Sequence, residues 1–193
     1  MRIITGTARG RKLRAPAGLT TRPILDRQKQ MLFDVLGARV EVDGVLDLFA
    51  GSGGLGLEAL SRGAARATFV EQDRAALDAL RANVGACRFD DRAQVVAGDA
   101  LRFDPGRLRH DVGLVFVDPP FPFVERRRAE LTRLLGRLVA APQVPVGALV
   151  VWRIPSKAEN VTMPAGLVEV DRRDGGRSVI VLYEKQAGGD GSR

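Results

Sequence analysis

The sequence is poor in residues that bind metals or form disulfides, since its 193 residues include only one cysteine, Cys87, and one histidine, His110. A lone cysteine cannot form an internal disulfide, and one Cys with one His supplies too few soft ligands for a structural zinc site. We therefore expect no resident metal and a reducing compartment, the cytoplasm. No apolar run approaches the roughly 20 residues of a membrane-spanning helix, and the first residues lack the apolar core of a signal peptide, so we expect no membrane association.

The composition is that of a globular protein, with 45% hydrophobic and 27% charged residues. These fractions exclude a disordered chain or a collagen-like fibre, and the length suits one domain with its own core. The formal net charge of +7 is concentrated at the N-terminus, where residues 1–30 hold eight basic residues against one acid, Asp26. Clustered positive charge predicts a polyanionic partner. The candidate contacts are Arg2, Arg9, Arg11, Lys12 and Arg14.

Short apolar runs alternate with helical patterns along most of the chain. After a basic hairpin (strands 2–5 and 12–14) and a helix from Asp26 to Gly37, strands are predicted at 45–49, 67–70, 94–97, 112–117 and 148–152, and helices at 55–60, 74–84 and 125–139. Residues 168–170 and 178–183 predict an antiparallel hairpin. The fold class is therefore α/β with a mostly parallel sheet. We divide the chain into a basic appendage (1–44), a catalytic domain (45–184) and a disordered tail (185–193).

A glycine-rich loop follows the first strand of the predicted sheet. Gly51, Gly53 and Gly56 satisfy G-x-G-x-x-G, and Glu71 lies twenty residues after Gly51, where it can accept hydrogen bonds from ribose hydroxyls. This pattern alone also fits a dinucleotide. Asp47 favours S-adenosylmethionine, because a carboxylate facing the loop would hold an ammonium group and repel a pyrophosphate.

Asp99 and Ala100 follow the third predicted strand. The Asp99 carboxylate can accept the exocyclic amine of a bound adenine, while the next backbone N–H reaches a ring nitrogen. An aspartate in this place can also be only a helix cap or an Asx-turn.

The segment Asp118-Pro119-Pro120-Phe121 directly follows the fourth strand. Two prolines end the strand pairing, so Asp118 is held at the carboxyl edge of the sheet. The Asp118 carboxylate and the Pro119 carbonyl can each accept one N–H of an exocyclic amine, which aims the nitrogen lone pair at an electrophilic methyl group. Phe121 can stack on the base that carries the amine.

These motifs together resemble the methyltransferases that modify exocyclic amines, and within them the RsmD family, bacterial small-subunit (16S) ribosomal RNA guanine-N2 methyltransferases. The resemblance rests on the opening R-I-I-x-G, the segment from Arg9 to Leu13, Thr21-Arg22-Pro23, the glycine loop, the LGLEALSRGA segment from Leu55 to Ala64, and Asp118 to Phe121. Trp152-Arg153 stands where this family commonly has an acidic residue followed by histidine.

The resemblance implies a Rossmann-like class I fold with a seven-stranded sheet, a monomer, and S-adenosylmethionine bound over the glycine loop. It further implies that the region of Arg22 and Asp26 closes over the cofactor and that the basic hairpin holds ribosomal RNA. The alternatives are amino methylation of adenine in nucleic acid or of a protein glutamine, a nicotinamide-dependent oxidoreductase, and a ribosome-binding protein that has lost catalysis. The oxidoreductase leaves Asp118 to Phe121 unexplained, and a binding protein would tolerate damage to Asp47 or Asp118, neither of which is damaged.

Overall fold

The computed structural model describes residues 1–16, 26–157 and 161–187. Its helices are α1 (Asp26–Leu36), α2 (Gly56–Ser61), α3 (Arg74–Cys87), α4 (Phe121–Arg126) and α5 (Arg128–Ala140). Its strands are β1 (Gly44–Leu48), β2 (Arg66–Glu71), β3 (Ala93–Ala97), β4 (Leu114–Val117), β5 (Leu149–Pro155), β6 (Leu167–Asp174) and β7 (Ser178–Lys185). Short 3-10 turns span Gly37–Val40, Ala100–Arg102 and Pro105–Arg107.

Within the described ranges, the strands form one seven-stranded sheet in the order β3-β2-β1-β4-β5-β7-β6. Strands β1 to β5 pair in parallel, whereas β7 runs antiparallel to both β5 and β6. The expected mostly parallel sheet with a C-terminal antiparallel hairpin is therefore confirmed. The strand order reverses at β1 and β4, and in such sheets ligands bind outside the carboxyl ends of the strands on either side of this point.

Apolar side chains fill both faces of the sheet, because neighbouring residues of a strand point to opposite faces. In β4, Phe116 belongs to the cluster that packs on α1, α2 and α3, and Val117 belongs to the cluster that packs on α4 and α5. The central strands β1 and β4 are buried along their whole length. Their carboxyl ends are thus held in a rigid, covered layer.

Two sequence predictions differ from the structure. The expected single helix over 125–139 is two helices, α4 and α5, interrupted at Arg127, whose φ and ψ are −126° and 33°. The expected N-terminal strands are reduced to one antiparallel bridge between Arg2 and Lys12, with backbone hydrogen bonds from Ile3 to Arg11 and from Leu13 to Met1 beside it. The segment also lies on α2 and α3, where side chains accept several of its backbone N–H groups.

The helices of the described residues are all too short or too polar to cross a membrane. The expected tail falls mostly outside the described residues, since β7 continues to Lys185 and the description stops at residue 187.

Candidate active site at the carboxyl edge of the sheet

A cavity of about 660 Å³ opens where β1 and β4 end. The lining brings together three segments that the sequence singled out: the glycine loop, the end of β2 and the segment after β4. The residues that line it are Met1, Asp47, Phe49, Ala50, Gly51, Ser52, Gly54, Leu55, Val70, Glu71, Gln72, Asp73, Ala76, Gly98, Ala100, Asp118, Pro119, Pro120, Phe121, Pro122, Phe123 and Arg153.

The glycine loop turns sharply at the end of β1. Phe49 has a φ of 61°, a left-handed conformation that is rare for an aromatic residue and that marks stored strain at a functional turn. Gly53 also has a positive φ, of 85°, and a Cβ there would lie 2.5 Å from Leu80. Gly53 itself does not line the cavity. Its role visible in the structure is to let the loop turn against α3.

Asp47 lies at the base of the cavity and is 2% exposed. Its Oδ2 accepts a hydrogen bond from the backbone N–H of Gly56 at 2.9 Å, at the start of α2. Burial raises the pKa of Asp47 well above its ordinary value, and the charges of Asp118 and Glu71 raise it further against the lowering effect of Gly56. Three carboxyl groups therefore share one site, which suits a cationic ligand and disfavours a pyrophosphate.

Glu71 ends β2 and turns back to the glycine loop. Its Oε2 accepts the N–H of Gly51 at 2.8 Å, while Oε1 accepts those of Gln72 and Asp73 at 2.7 and 2.8 Å. The carboxylate thus fixes the loop to the next strand and still borders the cavity.

The two residues expected near an adenine differ in position. Ala100 lines the cavity, but Asp99 does not. The Asp99 Oδ1 caps the following turn by accepting the N–H of Leu101 at 2.9 Å, and its Oδ2 lies 3.8 Å from Nε of Arg102. The capping alternative thus describes the Asp99 side chain in this structure, and its contact with adenine stays a prediction.

Asp118 follows β4 and points into the cavity, with Pro119, Pro120 and Phe121 beside it. Burial raises the pKa of Asp118, and the neighbouring Arg153 guanidinium lowers it in part. Arg153 is a site residue that the sequence argument did not identify. It forms a bidentate ion pair with Asp118 and lies over the ring of Phe121.

The basic residues of the N-terminal segment are all exposed, and this segment (residues 1–14) is called the basic arm below. Arg2 lies 3.5 Å from Asp26, while Arg9, Arg11, Lys12 and Arg14 project from the arm without a carboxylate within ion-pair distance among the described residues. The arm borders the cavity as well, because Met1 lines it. The expected cofactor contact Arg22 lies outside the described residues.

Buried polar side chains fix the arm to the domain. Glu58 accepts the backbone N–H groups of Ile4 and Thr5 at 2.8 and 3.0 Å, and it pairs with the buried ammonium of Lys29 at 3.0 Å. Asn83 accepts the N–H of Arg14 at 2.7 Å and donates to its carbonyl at 3.0 Å. Sequence reasoning missed these residues, although Glu58 in an otherwise apolar helical run was a visible signal.

The described side chains contain no group of three His, Cys, Asp or Glu residues able to hold a metal ion. Asp47, Glu71 and Asp118 are instead engaged separately by Gly56, by the glycine loop and by Arg153. The site offers carboxylates, backbone turns and an aromatic ring. These groups suit an organic cation and a flat base.

Comparisons with known proteins agree with this architecture. An RNA methyltransferase from Salinibacter ruber, solved with S-adenosyl-L-homocysteine, has a TM-score of 0.60 over 86% of this chain and 94% of that chain, at 16% identity. This likeness concerns the fold alone. Together with the strand order, it defines the fold as that of the class I methyltransferases.

The family is shown by closer matches. The model described as conserved hypothetical protein 95 matches residues 1–184. Ribosomal RNA small subunit methyltransferase D of Escherichia coli K12 is 37% identical over 193 residues, covering 98% of this chain and 92% of that protein. The solved structure of the Escherichia coli protein yhhF is 38% identical with a TM-score of 0.80, covering 97% of this chain and 98% of that chain. The chain therefore belongs to the conserved hypothetical protein 95 family, the RsmD family, as its motifs indicated.

Proposed function

We propose that this protein transfers a methyl group from S-adenosylmethionine to the exocyclic N2 amine of a guanine in small-subunit (16S) ribosomal RNA. The observation that carries this proposal is the position of Asp118, which lies at the carboxyl end of β4 in the same cavity as Asp47 and Glu71. The name of the Escherichia coli relative, ribosomal RNA small subunit methyltransferase D, supports the RNA substrate.

The residues in and around the glycine loop would hold the cofactor. Asp47 holds the ammonium of the methionine end, Gly51 and Gly53 shape the loop, and Glu71 accepts the ribose hydroxyls. Asp99 and Ala100 contact the adenine, and Arg22 closes over the cofactor. When bound, S-adenosylmethionine supplies an electrophilic methyl group on a sulfonium, and the three nearby carboxyl groups favour this positive charge.

The target amine is held by Asp118 and Pro119, each accepting one N–H, while Pro120 keeps the turn rigid and Phe121 stacks on the base. These two acceptors would aim the nitrogen lone pair at the methyl carbon of the bound cofactor, which would supply the methyl group with its sulfur as the leaving group. The methylated nitrogen then gives up a proton. Asp118 suits this acceptor role, because burial raises its pKa.

The basic arm contacts the RNA backbone through Arg2, Arg9, Arg11, Lys12 and Arg14, all of which are exposed. We assign residues 1–44 to RNA binding and residues 45–184 to methyl transfer. The two parts meet at Glu58 and Asn83, so the arm is packed on the domain that it serves. We further propose that the protein acts as a cytoplasmic monomer on ribosomal RNA or on the small ribosomal subunit.

The test is to incubate the protein with isotope-labelled S-adenosylmethionine and small-subunit particles from a strain that lacks this gene, followed by nucleoside mass spectrometry. We expect label in N2-methylguanosine. Label in N6-methyladenosine would replace guanine with adenine as the substrate, and label in the protein fraction, located by peptide mass spectrometry, would replace it with a glutamine. Binding of NADH in place of S-adenosylmethionine would favour the oxidoreductase.

A further inference from the structure

Arg153 takes two of the three contacts that the proposed function gives to the target base, those with Asp118 and Phe121, and leaves the Pro119 carbonyl. Its Nε donates to Oδ1 of Asp118 at 2.7 Å and its Nη2 donates to Oδ2 at 2.9 Å. Its Cζ lies 5.1 Å from the centre of the Phe121 ring, within cation–π range. The side chains of Arg153 and Asp118 are 12% and 15% exposed. The carboxylate and the ring face are therefore occupied by the protein itself.

The sheet register brings these residues together. Val117 of β4 pairs with Trp152 of β5, so the next residues, Asp118 just after β4 and Arg153 within β5, lie side by side. A planar guanidinium matches a carboxylate through two parallel hydrogen bonds, and it also stacks on an aromatic face. Arg153 is thus not a solvated side chain that lies near the site by chance.

The Arg153 guanidinium presents the same pair of adjacent N–H donors as the N1–N2 edge of guanine. Guanine carries N1–H beside its N2 amine, two coplanar donors that a carboxylate accepts as it accepts the Nε–H and Nη2–H of arginine. Adenine carries an acceptor, N1, beside its N6 amine. Guanine can therefore replace Arg153 on Asp118 donor for donor, while the remaining N2–H is free for the Pro119 carbonyl.

We propose that Arg153 occupies the base subsite of the free protein and that the target guanine enters by displacing its guanidinium from Asp118 and Phe121. This inference rests on the proposed function and adds a residue that acts on substrate binding. The ion pair lowers apparent RNA affinity, because only the fraction of molecules with Arg153 displaced can take the base. Every base must displace Arg153 before it can bind, so the ion pair lowers the affinity for all bases by the same factor. The ion pair therefore does not itself select guanine.

The exchange also changes the charge around Asp118. Arg153 lowers the pKa of Asp118 through both its charge and its hydrogen bonds, whereas a neutral base supplies hydrogen bonds without the charge. With that charge displaced, burial is left to raise the pKa of Asp118, which makes it a stronger proton acceptor at the stage where the amine must lose a proton.

The first test is single-turnover methylation of a ribosomal RNA fragment by the wild type and Arg153→Met, at alkaline pH so that Asp118 stays ionised. We expect the RNA concentration at half-maximal rate to fall about tenfold, the usual effect of removing a charge-assisted pair, with no fall in maximal rate. A fragment with 2-aminopurine in place of the target guanine should gain affinity by the same factor. A loss of maximal rate with unchanged half-saturation would overturn the proposal, because Arg153 would then act on the bound base.

Arg172→Met is the matched control, since Arg172 forms a comparable bidentate pair with Glu169 on β6, away from this cavity. Its affinity for the RNA fragment should equal that of the wild type. An equal gain in both variants would mean that loss of any arginine, rather than release of Asp118, increases the affinity.

A second readout does not depend on methylation. Methylguanidinium should raise the melting temperature of Arg153→Ala, whose emptied subsite can take it, but neither that of the wild type nor that of the double variant Asp118→Asn/Arg153→Ala. Equal stabilisation of the wild type and Arg153→Ala, or no stabilisation of Arg153→Ala, would contradict the proposal that Arg153 occupies the base subsite. If no RNA is methylated by the wild type, the proposed function fails separately, and this probe still reports on Arg153.

Discussion

The side-chain amide of Asn83 donates a hydrogen bond to the carbonyl of Ser52 at 2.9 Å and so fixes the glycine loop to helix α3. The same amide group donates to the carbonyl of Arg14, and its oxygen accepts the Arg14 N–H. One buried side chain therefore joins the cofactor loop to the end of the basic arm. Disorder in either segment removes part of the support of the other.

We therefore expect Asn83→Ala to weaken cofactor binding although Asn83 does not line the cavity. The substitution leaves the buried Ser52 carbonyl unpaired, at about 1–3 kcal/mol, and also removes the partner of the partly buried backbone groups of Arg14. Calorimetry with S-adenosylhomocysteine and urea unfolding should show both a weaker ligand and a less stable protein. Arg81→Ala, on an exposed part of the same helix, is the control. Equal ligand affinity in both variants would contradict a link between arm and loop.

Glu58 is the second joint between arm and domain, and its carboxylate is fully buried against Lys29, Ile4 and Thr5. Glu58→Gln leaves the Lys29 ammonium buried without a counter-charge, and loss of one partner of a buried pair typically lowers stability by about 3–5 kcal/mol. Urea unfolding should show this loss. Glu58→Leu combined with Lys29→Met should recover part of it, because the two fully buried charges are then removed and, among the charged partners, only Arg62, 12% exposed and 2.9 Å from Glu58, loses its partner. A double variant as unstable as Glu58→Gln would indicate that Glu58 stabilises the protein mainly through the backbone N–H groups of the arm and not through its pair with Lys29.

Asp47 should contribute to ligand binding at the expense of stability. Burial raises the pKa of Asp47 above its unfolded value. Its contribution to stability is therefore complete only below the unfolded pKa and is lost as the pH rises through the folded pKa. Asp47→Asn, which can still accept the Gly56 N–H, should keep or increase the free energy of unfolding at neutral pH and weaken S-adenosylmethionine about 10- to 100-fold.

Asp47→Asn could weaken the cofactor by removing the partner of its ammonium group or by changing the shape of the glycine loop. Methylthioadenosine, which lacks the amino-acid end, separates these two explanations. Asp47→Asn and the wild type should bind it equally, since Asp47 is proposed to hold the ammonium. Parallel losses for both ligands would show that Asp47 acts by shaping the loop.

The basic arm predicts a salt-dependent RNA interaction. Replacing Arg9, Arg11 and Lys12 by Gln should weaken RNA binding and flatten the plot of log affinity against log salt by about 0.7 to 0.9 per lost phosphate contact, because fewer counterions are released. Cofactor affinity should not change. The control replaces the exposed Arg107, Arg109 and Arg133, which lie outside the arm. A slope that changes equally in both triple variants would mean that the arm is only one part of a diffuse positive surface.

Much of the site was predictable because its chemistry is local in the sequence. Asp47, the glycine loop and Glu71 lie within 25 residues of chain (47–71), and alternating strands and helices bring such loops to one sheet edge. The same logic placed Asp118 after β4. The family was equally recognisable, because its most specific segments are continuous.

The pair of Arg153 and Asp118 was not predictable, because 35 residues separate them and their contact depends on the register of β4 and β5. The sequence marked Arg153 only as an unusual residue. The N-terminal hairpin, predicted from two short runs around Gly6 and Gly10, is found only in reduced form, as one bridge with a few backbone hydrogen bonds beside it. Glu58, Ser61 and Asn83 bind the rest of this backbone, and these long-range side-chain partners were not predictable.

Asp118 is the residue on which the proposed chemistry depends. Its interaction strengthens as the amine nitrogen gains positive charge, so it should affect rate more than binding. Asp118→Ala also leaves the Arg153 guanidinium without its ion-pair partner. The methylation rate with and without Asp118→Ala is therefore compared in two backgrounds, the wild type and Arg153→Met. Asp118→Asn retains an acceptor oxygen and tests the charge separately, and Phe121→Tyr keeps the stacking ring and should be nearly neutral.

The most direct measurement is the single-turnover methylation rate of Asp118→Ala at saturating S-adenosylmethionine and ribosomal RNA, beside the cofactor dissociation constant of the same variant. We predict a rate at least about 100-fold below that of the parent in both backgrounds, equivalent to about 2.7 kcal/mol of barrier, with a dissociation constant changed only a few-fold. A rate close to that of the parent would contradict the role of Asp118 in holding the amine, and with it the proposed mechanism.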